Sequence, residues 1–320
     1  LPCSRLKLAL VYVTSMTTYT DSSRLDPSLL ETVDWTLYFP HPVLGLDEVG
    51  RGCLAGPVVA AGALFTPTPN PKLQVWYQSS SLILTDNKTK IEIEIEIEKK
   101  TNNDPKNEIL NVTQKDTQNV TQTDIQVEYW DKLYEEFFNH WKQSLAPLSS
   151  YSKQHQELNW INASLTDSKK LSAQKRNFLV PLILSHYQVC IGLSNLSEIN
   201  SINILQASLL AMKRAVLTHE QILNQPMGHL LIDGNQKIKD LARPQTTLIK
   251  GDLRCSLISA ASIVAKVFRD DLMDFLSLKM PQYQFEKHKG YPSPLHKMIL
   301  KNIGPSPLHR IHFKGVSEFK

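Results

Sequence analysis

Glycine is missing from the whole middle of this chain: none occurs between Gly62 and Gly192, while the flanking segments hold all twelve. That absence sets the middle apart as a different kind of sequence. Cysteine is scarce. Cys3, Cys53, Cys190 and Cys255 are scattered, with no C-x-x-C pair and no framework spacing, which excludes a cysteine zinc site and a disulfide scaffold and leaves thiols packed as small hydrophobes. No stretch approaches the roughly 18 to 20 consecutive apolar residues of a membrane helix. The short run Leu6 to Val13 lacks the flanks and cleavage site of a signal peptide, so a cytoplasmic protein with no membrane contact is expected. Neither a P-loop nor a G-x-G-x-x-G is present, and nucleotide-cofactor chemistry therefore has no motif to rest on.

What is present supports a globular protein. At 320 residues and 42% hydrophobic content the chain can bury a full-sized core. The formal charge of +4 hides an asymmetry, because residues 86 to 128 hold ten acids and six lysines, a net of −4 that leaves +8 for the remainder. That remainder favours a polyanionic partner, although a solvated basic surface gives the same count. The middle also contains the alternating tract Ile91 to Glu98, followed by a polar stretch rich in Asn, Thr, Gln and Lys up to about Val127. Such composition has little to bury and suits either a one-faced strand or disorder. From Tyr129 to Leu145 the aromatics and aliphatics Trp130, Leu133, Tyr134, Phe137, Phe138 and Trp141 recur at helical spacing, which predicts an amphipathic helix packed onto the domain.

On either side of this insertion the pattern is mixed α/β. Val43 to Asp47 and Pro57 to Phe65 read as strands joined through the turn Gly50-Arg51-Gly52, and Val189 to Leu193 and His229 to Ile232 read as two more. Ile202 to His219 and Leu257 to Leu278 have helical periodicity, and the small residues Ser259, Ala260, Ala261 and Ser262 would let the second helix lie close against a sheet. A central sheet covered by helices is the expected architecture.

The residues able to carry chemistry are carboxylates at strand ends. Asp47 and Glu48 stand side by side where an apolar strand enters the glycine turn, Asp233 follows the strand His229 to Ile232, and Asp252 lies in Lys250-Gly251-Asp252. Each alone has a plain explanation as a strand-end solubiliser, a turn residue or a helix cap. Adjacent strand residues also point to opposite faces, so a bend would be needed to aim both Asp47 and Glu48 at one point. Together, in an otherwise basic chain, they form a hard oxygen set of the kind that binds Mg²⁺ or Mn²⁺ for phosphodiester hydrolysis. The histidines are not arranged as ligand pairs on one helix, which disfavours zinc.

The segment Leu44-Gly-Leu-Asp-Glu-Val-Gly-Arg-Gly-Cys-Leu-Ala-Gly-Pro-Val-Val-Ala-Ala61 resembles the signature strand and turn of ribonuclease HII, the bacterial type 2 ribonuclease H. Further segments follow in that family's order: Asp167-Ser-Lys-Lys-Leu-Ser172, Leu231-Ile-Asp-Gly-Asn235, Ile249-Lys-Gly-Asp252 with Ser259 to Lys266, then Gly290-Tyr291, His296 and Gly304 to Arg310. The resemblance implies a ribonuclease H-like α/β fold, with a five-stranded mixed sheet flanked by helices and a helical C-terminal portion. It implies a monomeric endonuclease that cuts the RNA of RNA/DNA hybrids, and cuts 5′ of ribonucleotides embedded in duplex DNA, in the service of replication and repair. It implies a metal-binding and catalytic quartet of Asp47, Glu48, Asp233 and Asp252 holding Mn²⁺ or Mg²⁺, two ions during catalysis. Gly50, Arg51, Gly52 and Tyr291 would read the ribonucleotide, and Lys169 and Lys170 would lie near the phosphate backbone. For His309 and Arg310 phosphate contact and structural support stand as equal alternatives.

The catalytic domain is accordingly expected over 41–66 and 163–320, with residues 1–40 an N-terminal extension and 67–162 an insertion looped out of the core. A non-catalytic duplex-binding module should have lost at least one of the acids, and all four are present. Another nuclease of the same fold would have no need of both the Gly-Arg-Gly turn and the distant Gly-Tyr.

Overall fold

The computed structural model describes residues 32–38, 41–66, 75–78, 122–145, 165 and 168–319, with side chains in the 122–145 helix from Tyr129 onward. Six strands form one sheet: β1 (Val43–Val49), β2 (Val58–Phe65), β3 (Val75–Gln78), β4 (Tyr187–Ser194), β5 (His229–Asp233) and β6 (Gln245–Leu248). Their order across the sheet is β3-β4-β2-β1-β5-β6. β2 runs antiparallel to both β1 and β4, whereas β1 with β5, β5 with β6, and β3 with β4 are parallel. The sixth strand corrects the expectation of five, and β3 comes from the segment set apart as an insertion. Its four residues Val-Trp-Tyr-Gln offer Val75 to the core and a backbone that completes the exposed edge of β4.

The longer helices among the described residues are α1 (Gln122–Leu145), α2 (Ala173–His186), α3 (Leu196–Leu223), α4 (Ser256–Lys279) and α5 (Pro294–Ile303). Strand parity decides what each face meets. Leu44 and Leu46 of β1 and Leu230 and Ile232 of β5 pack with Met212, Ala215 and Val216 of α3. Val43, Leu231 and the alternate residues of β2 face the larger core built by α1, α2 and α4. On that face α4 lies almost on the sheet: a β-carbon at Gly45 would stand 2.4 Å from the backbone of Leu257. The small residues Ser259, Ala260, Ala261 and Ser262, all buried, make the approach possible.

Residues 67–162 are thus not wholly set apart from the core. Leu133, Tyr134, Phe137, Phe138, Trp141 and Leu145 of α1 are buried in the main core, and Phe137 and Trp141 pack edge-on against Phe268 of α4. The aromatic stripe explains why: an amphipathic helix with six large apolar groups needs a surface to cover. The alternating tract Ile91 to Glu98 and residues 1–31 lie outside the described residues. Among the described residues no helix is long and apolar enough to cross a membrane.

Candidate active site

The parallel pairing of β1 with β5 brings the first two acids together. Leu46 of β1 is in register with Ile232 of β5, so Asp47 and Asp233 follow as neighbours at the same ends of adjacent strands, and parity turns both toward α4. Asp47 is buried, with its Oδ1 accepting the Glu48 N–H at 2.7 Å. Burial first, then the charges of Glu48, Asp233 and Asp252, push its carboxyl well above the ordinary range, while the Ser262 hydroxyl of α4 opposes that shift. Glu48 points the other way and swings to Arg51, whose Nη1 lies 3.1 Å from Oε1. Burial raises its carboxyl too, against the pull of Arg51.

Asp233 closes β5 and accepts the Gly251 N–H through Oδ1 at 2.7 Å, which ties it to the short turn Gly251–Leu253 that carries Asp252. Its carboxyl is also raised by burial, with the backbone N–H of Gly251 and the charge of Lys169 acting in the opposite sense. Asp252 is a turn residue and not a helix cap, since Cys255 holds the N-cap position of α4. Asp47 therefore senses all three other acids, and the four group at one end of β1 and β5.

A divalent cation suits this set. Hard carboxylate oxygens, partly stripped of water and raised by mutual repulsion, lose that repulsion when a doubly charged ion sits among them. Among the described residues no three His, Cys, Asp or Glu side chains already surround a common point as ligands. Glu48 in particular is turned to Arg51, so it would have to swing inward to join them.

Beside the acids, the turn Gly50-Arg51-Gly52 is built so that one glycine is demanded by the fold and the other is not. Gly50 has φ +96°, and a β-carbon there would stand 2.3 Å from Nε of Arg269. At Gly52 a β-carbon would meet nothing within 4 Å, so the backbone there faces open space. Tyr291 stands across from the turn, half-buried, with Lys266 Nζ 5.1 Å and Arg269 Cζ 5.8 Å from its ring. Burial, with Cys53 beside its hydroxyl, raises its pKa to about 12, so the phenol stays protonated and able to donate at neutral pH. Lys169 and Lys170 are exposed on a loop whose Ser168 hydroxyl meets that of Ser262 at 2.9 Å.

Arg310 and His309 are buried, which decides their open alternatives for structural support. Arg310 donates to the carbonyls of Gly56 (3.0 and 2.9 Å), Arg51 (3.0 Å) and Cys53 (2.9 Å). Arg269 of α4, which the sequence reading did not single out, donates to Pro57 (3.1 Å), Ala55 (3.0 Å) and Lys289 (2.9 Å). The two guanidiniums hold the backbone of the glycine turn and join it to the segment bearing Tyr291. A signal for Arg269 was available: it interrupts the apolar stripe of Ala265, Phe268, Leu272 and Met273 on α4. Among the described residues neither arginine is ion-paired with a carboxylate.

Comparison with known proteins matches residues 44–140 and 144–316 to the family model described as ribonuclease HII. Ribonuclease HII of Synechococcus elongatus is 46% identical over 155 residues, 47% of this chain and 69% of that protein. That of Trichodesmium erythraeum is 48% identical over 153 residues, 48% of this chain and 71% of its own length. Among solved structures, the ribonuclease H2 from Pyrococcus horikoshii OT3 aligns with a TM-score of 0.45 and 19% identity over 87% of this chain and 96% of its own.

Proposed function

From the premise that the chain belongs to the ribonuclease HII family, and so is a type 2 ribonuclease H that hydrolyses RNA in RNA/DNA hybrids, we propose that it also cuts 5′ of single ribonucleotides embedded in duplex DNA. Asp47, Glu48, Asp233 and Asp252 form the catalytic, metal-holding quartet, and the products carry 5′-phosphate and 3′-hydroxyl ends. The observation that carries this reading is the placement of Asp47 and Asp233 just past the paired Leu46 and Ile232 on adjacent parallel strands, with the charges of Glu48 and Asp252 acting on Asp47, next to an open glycine backbone.

Two Mg²⁺ or Mn²⁺ ions held by such a quartet would activate a water and stabilise the leaving oxygen. The remaining work falls to the chain itself. The backbone at Gly52 can approach a ribose closely enough to bond its 2′-hydroxyl, which is what separates RNA from DNA at a given site. Tyr291 offers a protonated hydroxyl and a flat ring at the same place, suited to a ribonucleotide followed by a deoxyribose. Exposed Lys169 and Lys170 supply positive charge along the backbone path without reading sequence.

The catalytic domain is proposed to span 41–66 and 163–320, with β3 and α1 as the parts of 67–162 that are seated on it. A cytoplasmic monomer acting in ribonucleotide removal is the setting this reading implies. The test is to incubate the protein with labelled duplexes containing one, four or many ribonucleotides, with Mg²⁺ or Mn²⁺, and map the cut. Cleavage 5′ of the single ribonucleotide is expected, and cleavage confined to long hybrids would refute the embedded-ribonucleotide reading. Tyr291→Ala should depress cleavage at the single ribonucleotide much more than cleavage of a long hybrid. Equal losses would move junction recognition elsewhere.

A further inference from the structure

Three histidines outside the carboxylate site are buried together: His288, His296 and His309. The rings of His288 and His296 stack at 4.0 Å, and Phe285 packs edge-on against both. No function proposed above uses them. Their hydrogen bonds leave only one arrangement of protons. The backbone N–H of Ser306 donates to His309 Nδ1 at 2.8 Å, so that nitrogen carries no proton and His309 must hold its proton on Nε2. His309 Nε2 lies 2.9 Å from His296 Nε2, which must then accept. The His296 proton is left on Nδ1, and it points at the carbonyl of Tyr291, 2.9 Å away. His288 follows the same logic. Gly290 N–H donates to its Nδ1 at 3.2 Å, and its Nε2 donates to the Tyr283 carbonyl at 2.9 Å.

The two ends of this chain of bonds are the informative part. His309 pairs with Ala55 across an isolated bridge, and the next residue, Arg310, holds the carbonyls of the glycine turn. At the other end are Gly290 and Tyr291, and Gly290 in turn accepts the Leu54 N–H at 2.8 Å. We infer that His309 and His296, with His288 stacked on His296, are positioning residues: a neutral and proton-ordered relay from His309 through His296 sets the backbone of Tyr291 in register with the Gly50–Gly52 turn. The two elements proposed to read the ribonucleotide are thereby fixed relative to each other. This rests on the reading of Tyr291 given above. Protonation of any ring would set an N–H against an N–H or lose an acceptor, and burial holds all three in the neutral form.

Two measurements test this. In the ¹⁵N-labelled full chain at pH 7, histidine ring shifts should show His296 protonated on Nδ1 and His288 and His309 on Nε2. His296 protonated on Nε2, or averaged between tautomers, would overturn the relay whatever Tyr291 does. The second is kinetic. His296→Asn keeps a donor near the Nδ1 position, whereas His296→Leu keeps the bulk and loses it. His296→Leu should lower kcat/KM at a single embedded ribonucleotide, relative to a long hybrid, by about fivefold to tenfold, the scale of one lost positioning hydrogen bond. His296→Asn should restore most of that ratio. If Tyr291→Ala shifts the ratio but the two His296 variants do not differ, the positioning inference fails alone. If Tyr291→Ala itself leaves the ratio unchanged, the reading of Tyr291 fails and the inference falls with it.

Discussion

Replacing Arg310 by lysine keeps a positive charge and most of the aliphatic stem, so it isolates the geometry of the guanidinium fork. The fork makes four hydrogen bonds to three carbonyls, those of Gly56, Arg51 and Cys53, from a wholly buried position. An ammonium presents its donors from a single atom and cannot span both sides of the turn. About two charge-assisted bonds should be lost, at roughly 1.5–3 kcal/mol each, leaving carbonyls without donors in a buried site. The expected loss in stability is about 3–6 kcal/mol, a large share of the roughly 5–15 kcal/mol by which a protein is folded. For a domain of this size that corresponds to a fall in Tm of about 6–15 °C. Urea unfolding of the full chain followed by tryptophan fluorescence measures the first number, and steady-state cleavage at a temperature where R310K is folded measures the effect on the turn. A loss below about 1 kcal/mol would refute the claim that the fork holds the turn. A full loss of stability with unchanged kcat/KM would show that Arg310 supports the fold and not the reading of substrate.

Asp47→Asn should abolish cleavage yet make the metal-free protein more stable, because the native carboxyl is held above its ordinary range and its charged form opposes folding. The sign follows from linkage: the native state binds the extra proton, so the Asp47 contribution worsens as pH rises past the ordinary carboxylate range. The Tm gain of D47N over the wild type should therefore be present at pH 7 and shrink toward pH 4; no gain at pH 7 would refute the argument. Asp252→Asn should reduce kcat far more than duplex affinity, measured by turnover and fluorescence anisotropy, and parallel losses would assign it a role in binding instead. Phe137→Ala should cost about 3–5 kcal/mol, the range for deleting a buried aromatic, although it lies in a stretch that composition sets apart from the domain. A change under 1 kcal/mol in urea unfolding would mean that α1 is not part of the core.

Apolar runs and turn residues made β1, β2, β4, β5 and α4 readable to within about two residues and α3 to within about six, because the strands are short continuous apolar stretches and the helices carry a helical stripe. β3 was not readable, being four residues long within a stretch dominated by polar sequence. The acids were recognisable as strand-end residues, but their grouping depends on register: Asp47 neighbours Asp233 only because Leu46 pairs with Ile232, and no local pattern encodes that. The same holds for Arg269, Arg310 and the histidines. Arg269 does break the apolar stripe of α4, but nothing local shows that its partners, and those of Arg310 and the histidines, are backbone carbonyls and one another.

The two buried guanidiniums behind the glycine turn, paired with no carboxylate among the described residues, bear on how the protein should respond to ionic strength. Mobile ions screen a charge mainly through the solvent around it, and Arg269 and Arg310 are sealed from solvent. The attraction that exposed Lys169 and Lys170 would exert on a phosphate backbone should weaken as counterions compete for it. The field of the buried pair at the turn does not weaken in the same way. Added salt should therefore loosen the hold on the duplex at large before it loosens the grip at the cleavage site, leaving weakly bound complexes that are still correctly seated.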